Sequence, residues 1–174
     1  VIPDANLCDE VVDGVPRYCA DGMISASQQF IEVDGMFAAA MAGQIVQREG
    51  SVDVEAGQAK AVVVTITDDD LVVGEPVSFS RFLPDNDGGR INTVIGRYIE
   101  PSLGYKDHSA PVRRSLDDIQ ADGGPREQTL SLPLVTDVQQ VDRVIEIQRL
   151  MARLERRASI VLPPKFAGLE EGDW

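Results

Sequence analysis

Apolar residues recur at helical spacing in two segments of the chain. The first segment, residues 27–43, places five apolar side chains on one arc of a helical wheel: Phe30, Val33, Phe37, Ala40 and Met41. Ser25 and Gln28 form a capping-box pattern at its start, and Gly43 is a natural C-terminal stop. The pattern therefore predicts an amphipathic helix that ends at Gly43.

The second helical segment covers residues 138–154 and has a broad apolar arc. Thr136 and Gln139 form a capping box at its start. Glu146 and Arg149 lie on the polar face at a spacing that favours an ion pair. Because the apolar side is wide, we expect this helix to be well covered by the rest of the protein.

Alternating positions and β-branched runs predict about eight strands. The segments "QIVQREG" and "SVDVEAG" predict a hairpin with Gly50 and Ser51 at its turn. The segment "KAVVVTIT", residues 60–67, is the most strongly β-prone stretch, and the "TDDDLVVG" turn follows it. The segments "PVSFSRFLP" and "RASIVLPP" predict two further strands. The segment "REQTLSLPLV" predicts an edge strand or a strand end, because Pro133 cannot donate a ladder hydrogen bond.

The segment "RINTVIGRYIEP" predicts the longest strand. One face would carry Ile91, Thr93, Ile95, Arg97 and Ile99, and the other Asn92, Val94, Gly96 and Tyr98. The following "SLGYKDHSAPVRRSLDDIQADGGP" is polar, so it predicts an irregular connection with one helical turn at "LDDIQ". Long irregular connections often carry contacts, and we expect "SLGYKDHSAPVRR" and the chain ends to touch neighbouring subunits or domains.

Two helices among strands without βαβ regularity indicate an α+β fold with mostly antiparallel sheets, barrel-like or sandwich in form. We predict two subdomains. Residues 1–83 would hold a short strand within "RYCADGMIS", residues 17–25, and then a helix, a hairpin and further strands. Residues 84–174 would be β-rich with one long helix. The chain lacks an initiator Met and stops at Trp174, an aromatic residue typical of a strand start. We therefore expect both ends to be cut, with the second subdomain truncated.

The charge of the chain excludes one class of partner. A formal net charge of −13 argues against nucleic-acid binding, because phosphate contacts need clustered Lys and Arg. No segment approaches the length of a membrane span, and the N-terminus does not resemble a signal peptide. The two cysteines, Cys8 and Cys19, predict free thiols in a reducing compartment.

The residues that could carry chemistry form no recognisable site. His108 is the only histidine and lies in a polar segment, so we interpret it as a solvated loop residue. The acidic triplet at residues 68–70 is better interpreted as a helix cap than as a cation site. The segment at residues 85–89 fails the calcium-loop pattern, because Arg90 stands where that loop needs Gly. We therefore predict no catalytic, metal-binding or cofactor-binding residues and no enzymatic activity.

Two further groups of residues have simple structural interpretations. The Arg113–Arg114 pair is interpreted as a solvated loop feature rather than an anion site. Three methionines, Met23, Met36 and Met41, are interpreted as residues that fill gaps in the core.

The order of several motifs resembles a known family. The chain contains "DGMIS", then "EVDGMFAAAMAGQIVQREGS", "TITDDDLVVG", "NTVIGRYIEPSLGYKD", the "TDVQQVDRVIEIQRLMARLERRASIVLPP" helix–strand unit, and "AGLEEGDW". This order resembles the central, tail-hub region of phage tail-tip attachment proteins, the host-specificity proteins of lambda-like phages and prophages. The specific pieces are Asn92-Thr93-Val94, Tyr98, Pro101, Gly104-Tyr105 and residues 168–173. Glu171 departs from the Pro that is usual in the family, and the long helix is less rich in Ala.

The resemblance implies a structural protein at the virion tail tip, made in the bacterial host cytoplasm. Such hub domains assemble as homotrimers with other tail-tip and tail-tube proteins, join the tube to the receptor-binding parts, and line the channel through which DNA leaves. An acidic lumen would repel the phosphates of the passing DNA. In such proteins "LEEGDW" leads into a further strand.

Two other functions stay open. The first is a ligand- or carbohydrate-binding β-domain, which would need an exposed aromatic platform. The second is a cell-wall hydrolase, which would need two carboxylates in one cleft with opposite pKa shifts.

Overall fold

A computed structural model describes residues 2–48, 51–81, 90–154 and 156–169 of the 174-residue chain. Within these ranges the four helices are α1 (Ile2–Asp9), α2 (Phe30–Ala40), α3 (Leu116–Ala121) and α4 (Val138–Met151). The strands are β1 (Val11–Val12), β2 (Val15–Pro16), β3 (Gln44–Arg48), β4 (Ser51–Glu55), β5 (Ser78–Arg81), β6 (Thr93–Glu100), β7 (Lys106–Ser109), β8 (Arg113–Arg114), β9 (Glu127–Leu132) and β10 (Arg156–Ser159). The predicted α+β class is confirmed.

Strand β6 is the centre of the largest sheet. Strands β7 and β8 pair antiparallel with it along one edge, and β9 pairs parallel with it along the other. The remaining strands form antiparallel pairs: β1 with β2, β3 with β4, and β5 with β10. The sheets are therefore mostly antiparallel, as predicted, and none of the described strands closes into a barrel.

The core lies between the β6 sheet and helix α4. Val94, Gly96 and Tyr98 alternate with outward residues on β6, and Gly96 lies directly under α4. The buried apolar side chains are Tyr18, Ala40, Ala56, Val94, Tyr98, Ala110, Leu132, Leu134, Val135, Val141, Val144 and Ile145. The predicted buried face of the long strand is therefore the one that carries Val94 and Tyr98.

One buried polar side chain connects distant parts of this core. Gln140 on α4 is 1% exposed. Its amide oxygen accepts from the Cys19 N–H at 2.9 Å, and its amide nitrogen donates to the carbonyls of Cys19 at 2.9 Å and Ala40 at 2.8 Å. A buried amide is stable only when its groups are paired, so Gln140 fixes the N-terminal segment and the end of α2 to α4.

Both predicted helices form, but their ends differ from the capping patterns. Helix α2 begins after Gln29, and the Gln29 N–H donates to the Glu32 carboxylate at 3.3 Å. Ser25 and Gln28 form a separate turn before the helix. It ends at Ala40, three residues before Gly43. The predicted cap at Ser25 is therefore wrong by four residues, because Ser25 and Gln28 bond each other outside the helix.

Helix α4 is capped by Asp137 rather than Thr136. The Asp137 carboxylate accepts from the N–H groups of Gln139 at 2.6 Å and Gln140 at 3.3 Å. The Thr136 hydroxyl instead donates to Asp21 at 3.1 Å, a partner far away in sequence. The helix ends at Met151 rather than Leu154.

The strand predictions fail at residues 60–67 and also at residues 17–25, where the described chain has no strand. The hairpin of β3 and β4 is confirmed, with Ser51 already in β4 opposite Arg48, while Gly50 lies outside the described residues. The acidic turn is also confirmed as a 3₁₀ turn at Asp68–Asp70. The predicted strand at residues 60–67 is wrong, because the segment pairs with no described strand. High β-propensity describes a fit to a sheet surface and does not supply the sheet.

The connection predicted to be irregular after β6 is mostly regular. Helix α3 confirms the predicted helical turn at "LDDIQ", but strands β7 and β8 also lie within the connection, so the interpretation as irregular is wrong. His108 consequently lies in β7, exposed as expected, with its ring edge-on to Tyr98 at 6.0 Å. Strand β9 ends at Leu132, directly before Pro133, and pairs with β6 alone, which confirms the edge-strand prediction.

Several apolar side chains are more exposed than the sequence predicts. Met23 is 95% exposed, so it does not fill the core, whereas Met36 and Met41 pack against the buried cluster as predicted. The end of α4 is not well covered, since Leu150 and Met151 are more than half exposed. None of the described helices is long and apolar enough to span a membrane.

Candidate functional site: the motif strand and the turn that follows it

Asn92 fixes the start of the motif strand β6. The side chain is fully buried, and its amide nitrogen donates to Asp122 and to the Gly124 carbonyl, each at 3.0 Å. Its amide oxygen accepts from the Arg126 N–H at 2.8 Å and from the Thr93 hydroxyl at 3.1 Å. Asn92 therefore uses both its donor and its acceptor groups to attach β6 to the loop before β9.

Asp122 connects this loop to helix α4. Its side chain is fully buried, and one oxygen accepts from Arg153 at 2.7 Å. Burial by itself raises the pKa of Asp122, but the hydrogen bonds from Asn92 and Arg153 and the Arg153 charge outweigh it, so that pKa is lower than usual. Asp118 continues the network, with Arg153 at 3.1 Å and Arg149 at 3.2 Å.

Gly96 allows α4 to lie close to the sheet. A Cβ atom at this position would stand 2.5 Å from Val141 Cγ1 and 2.9 Å from Ile145 Cγ2. Real Cβ contacts are longer than this, so any side chain at Gly96 would push the helix away. The motif position therefore requires glycine for close packing.

Tyr98 closes the other end of the strand. Its hydroxyl donates to the Glu100 carboxylate at 2.5 Å, and burial followed by this hydrogen bond raises the pKa of Tyr98 to about 12. Glu100 also accepts from the Ser102 N–H at 3.1 Å and its hydroxyl at 2.7 Å. The Tyr98 bond, followed by the Ser102 bonds, lowers the pKa of Glu100 to about 2. These bonds hold the turn after β6 in one conformation.

This turn carries an exposed motif side chain, Tyr105, that has no role in the core. Pro101 opens a 3₁₀ turn that ends at Gly104, and Gly104 and Tyr105 both have left-handed backbones, with φ of 73° and 58°. A tyrosine rarely adopts positive φ, and such strain is often found at functional positions. Tyr105 is 71% exposed and Leu103 is 50% exposed. We name residues 103–105 the motif turn.

Comparison with known proteins decides the family. A family profile described as "Putative phage tail protein" matches residues 35–174 of the chain. The chain belongs to this phage tail family. A search of curated proteins found no significant match. The sequence resemblance to phage tail proteins is thereby confirmed at the level of this family.

Solved structures confirm the fold of this phage tail protein. Ten chains match significantly. One of them is a chain of the "Virion of native gene transfer agent (GTA) particle", with a TM-score of 0.69 and 20% sequence identity. The match covers 97% of this chain and 37% of that chain, so the tail protein spans little more than a third of its neighbour's length.

The tail protein also has a pocket that the sequence does not reveal. It has a volume of about 640 Å³ and is lined by Asp13, Arg17, Tyr18, Arg113, Gln139, Asp142, Arg143, Glu146 and Ile147. Charged groups at its wall are paired within the chain, for example Arg113 with Asp142 at 2.9 Å. The lining comes from the β1–β2 hairpin, β8 and α4, which no local pattern brings together.

The structure places the candidate residues from the sequence apart from one another. Asp70 pairs with Lys165 at 2.5 Å and with the Thr67 hydroxyl at 2.9 Å, which holds the pKa of Asp70 at about 2. Arg113 belongs to strand β8 and to the pocket, so it is not a loop residue. The segment at residues 85–89 lies outside the described residues. In the described chain, no three His, Cys, Asp or Glu side chains are grouped as a metal site would require.

The sequence pattern does not predict the polar network of Asn92, Asp122 and Arg153. Asn92 stood out as a motif residue, but nothing in the spacing connects it to Asp122 or to the end of α4. The network joins three elements that are far apart in sequence, and the parallel β6–β9 pairing brings them together.

Proposed function

We propose that this chain is a structural part of a phage tail-tip hub, which joins the tail tube to the receptor-binding parts and lines the DNA exit channel. One observation supports the proposal most directly. In the motif that resembles hub proteins, Asn92, Gly96 and Tyr98 hold β6 in place, while the motif turn presents the aromatic ring of Tyr105 outward. Such a motif serves assembly rather than catalysis.

The polar groups of the motif support a non-catalytic role. A hydrolase needs a carboxyl group with a raised pKa as its general acid. In the part of the chain that the structure describes, four carboxyl groups have a pKa below the ordinary value: Asp70, Glu100, Asp122 and Glu146. Each is already bound to a tyrosine, hydroxyl, amide or basic partner. We therefore propose that the hub function needs no catalytic residue, metal or cofactor.

The motif turn is the proposed contact with neighbouring tail subunits. Tyr105 and Leu103 lie at the tip of a turn that the Tyr98–Glu100–Ser102 hydrogen bonds hold rigid. Exposed aromatic residues on a rigid support often dominate interface energies. We propose a homotrimer as the assembled form, with other tail-tip and tail-tube proteins on either side and the acidic surface toward the DNA.

Two measurements test the hub proposal. An antibody fragment against the chain, imaged on virions by electron microscopy, should label the tail tip, and a label on the tail shaft or the capsid would contradict the proposal. Light scattering on a sizing column should give the mass of a trimer.

Tyr105→Asn should weaken assembly without lowering the melting temperature, because Asn tolerates the left-handed backbone. Val73→Asn is the matched control, since Val73 is fully exposed elsewhere.

The pocket supports a second candidate function, a ligand-binding domain. Its lining is charged, and its single aromatic residue, Tyr18, is buried and bonded to the Gly57 carbonyl at 2.6 Å. Such a site suits a small charged ligand better than a carbohydrate, which would need an exposed ring. A screen of charged metabolites by thermal shift, with Arg113→Ala as the control, would test this function.

A further inference from the structure

Residues 61–66, "AVVVTI", have strong β-propensity but belong to no helix or strand of the described chain, and we name them the valine segment. Their backbone and side chains form no hydrogen bond in the part of the chain that the structure describes. Val62 is 67% exposed and Val63 is 63% exposed. Because neighbouring side chains of a strand point to opposite faces, a strand formed by this segment would have an apolar side chain to cover on each face.

The β3–β4 hairpin, in turn, lacks a third strand along its edge. It forms a sheet of only two strands among the described residues, and an isolated hairpin is at best marginally stable in water. Ile45 and Val54 lie opposite each other on it and are 37% and 41% exposed. A third strand along its edge would pair unused backbone groups and cover this apolar face.

The chain cannot bring its own valine segment back to the hairpin without breaking contacts. Gly57 lies between them, where its N–H donates to the Met41 carbonyl at 2.9 Å and its carbonyl accepts from Tyr18 at 2.6 Å. A Cβ at Gly57 would stand 2.4 Å from the Ala42 carbonyl oxygen, so the backbone is closely packed there. These contacts direct the segment away from the hairpin that precedes it.

The exposed area is sufficient for a large interface. The chain exposes 11713 Å². A compact monomer of 18.9 kDa would expose about 8,300 Å² by the usual scaling with mass. The excess of roughly 3,400 Å² matches the area that obligate oligomers bury at one interface. In a ring, each subunit loses about this area in total, half of it on each side.

We propose that the valine segment of one copy adds a strand to the β3–β4 hairpin of the next copy. The two surfaces differ, so the contact is head-to-tail, and repeated around an axis it closes a ring. Backbone hydrogen bonds would supply the attraction, as in other cases of strand addition. The inference rests on the proposed hub function for the ring, but it adds a specific contact that the hub proposal does not require.

The test compares two proline variants of the protein. Val63→Pro removes a backbone N–H donor from the middle of the added strand. It should not disturb the fold of a single copy, because the Val63 N–H has no partner within the described chain. Val73→Pro is the matched control, because Val73 is the second residue of a turn closed by Glu75 and Val72, where proline is favoured. Circular dichroism and melting of dilute protein check that both variants fold. Mass by light scattering and amide hydrogen exchange are then measured at high concentration.

The inference predicts a mass that falls to that of a monomer in Val63→Pro and is unchanged in Val73→Pro. It also predicts that amides of the valine segment exchange at least tenfold more slowly in the wild-type oligomer than in dilute protein. An oligomer that survives Val63→Pro with unprotected valine-segment amides would overturn the inference and leave the trimer standing. Equal loss of mass in both variants would also overturn it. A wild type that stays monomeric would contradict both the strand addition and the trimer, while virion labelling would test the tail-tip location separately.

Discussion

Strand β6 and the valine segment show opposite relations between sequence and structure. The valine segment has the stronger β-propensity but pairs with no described strand, whereas β6 contains Gly96 and Arg97 and pairs with β7, β8 and β9. The helices show the same contrast. Helix α4 buries Val141, Val144 and Ile145, while α2 leaves Phe30 and Ile31 exposed at 79% and 69%. Partners elsewhere in the chain, rather than local propensity, decide which segments become core.

The largest expected effect is the difference in stability between a substitution in α4 and one in α2. Ile145→Ala should lower the free energy of unfolding by about 2–5 kcal/mol, because Ile145 is fully buried and its removal leaves a cavity. Ile31→Ala on α2 should change it by less than about 0.5 kcal/mol in the monomer, since surface substitutions have small effects. Urea unfolding of both variants measures the difference. Equal losses would show that α2 is as tightly packed as α4.

A pair of glycine substitutions tests the same difference between β6–α4 and α2 through smaller changes in stability. Gly96→Ala should destabilise the protein by about 1–3 kcal/mol, since the new methyl group would overlap Val141 and Ile145. Gly35→Ala in α2 meets no atom within 4 Å and should stabilise the protein by about 0.5–1 kcal/mol. Thermal unfolding of the two variants should therefore shift in opposite directions. A stabilising Gly96→Ala would mean that α4 is not packed closely on β6.

The smallest effect concerns pH. Glu100 has a folded pKa of about 2 against an ordinary value of 4.5, so its contribution to stability is present above pH 4.5 and is lost as pH falls toward 2. Tyr98 has a folded pKa of about 12 against 10.0, so its contribution is full below pH 10 and is lost as pH rises toward 12. The stability difference between wild type and Tyr98→Phe should be constant between these limits and shrink beyond them. Urea unfolding of both proteins across pH measures it, and a difference that does not shrink as pH falls below 4.5 would mean that the hydroxyl bond to Glu100 is absent.

Local patterns predicted the elements whose stability is local. The helix at α4, the β3–β4 hairpin, the alternation along β6 and the ion pair between Glu146 and Arg149, at 2.7 Å, all depend on residues close in sequence. The end of β9 was also predictable, because the chemistry of Pro133 is independent of its surroundings.

The errors arise where a distant residue changes the outcome. Thr136 has the right chemistry for a helix cap, but its hydroxyl binds Asp21 and leaves Asp137 to cap α4. Met23 has the composition of a core residue, but no described element covers it. The parallel β9 and the buried Asp122 network depend on a pairing between segments about thirty residues apart. No window along the sequence contains that information.

The single side chain of Gln140 has a consequence for synthesis on the ribosome. Its three hydrogen bonds reach Cys19 and Ala40, which are made 121 and 100 residues earlier. At about 5–20 residues per second, Cys19 and Ala40 wait roughly 5–25 s for it, before counting passage through the exit tunnel. Cys19 and Ala40 are therefore translated well before the side chain that pairs their backbone groups in the core.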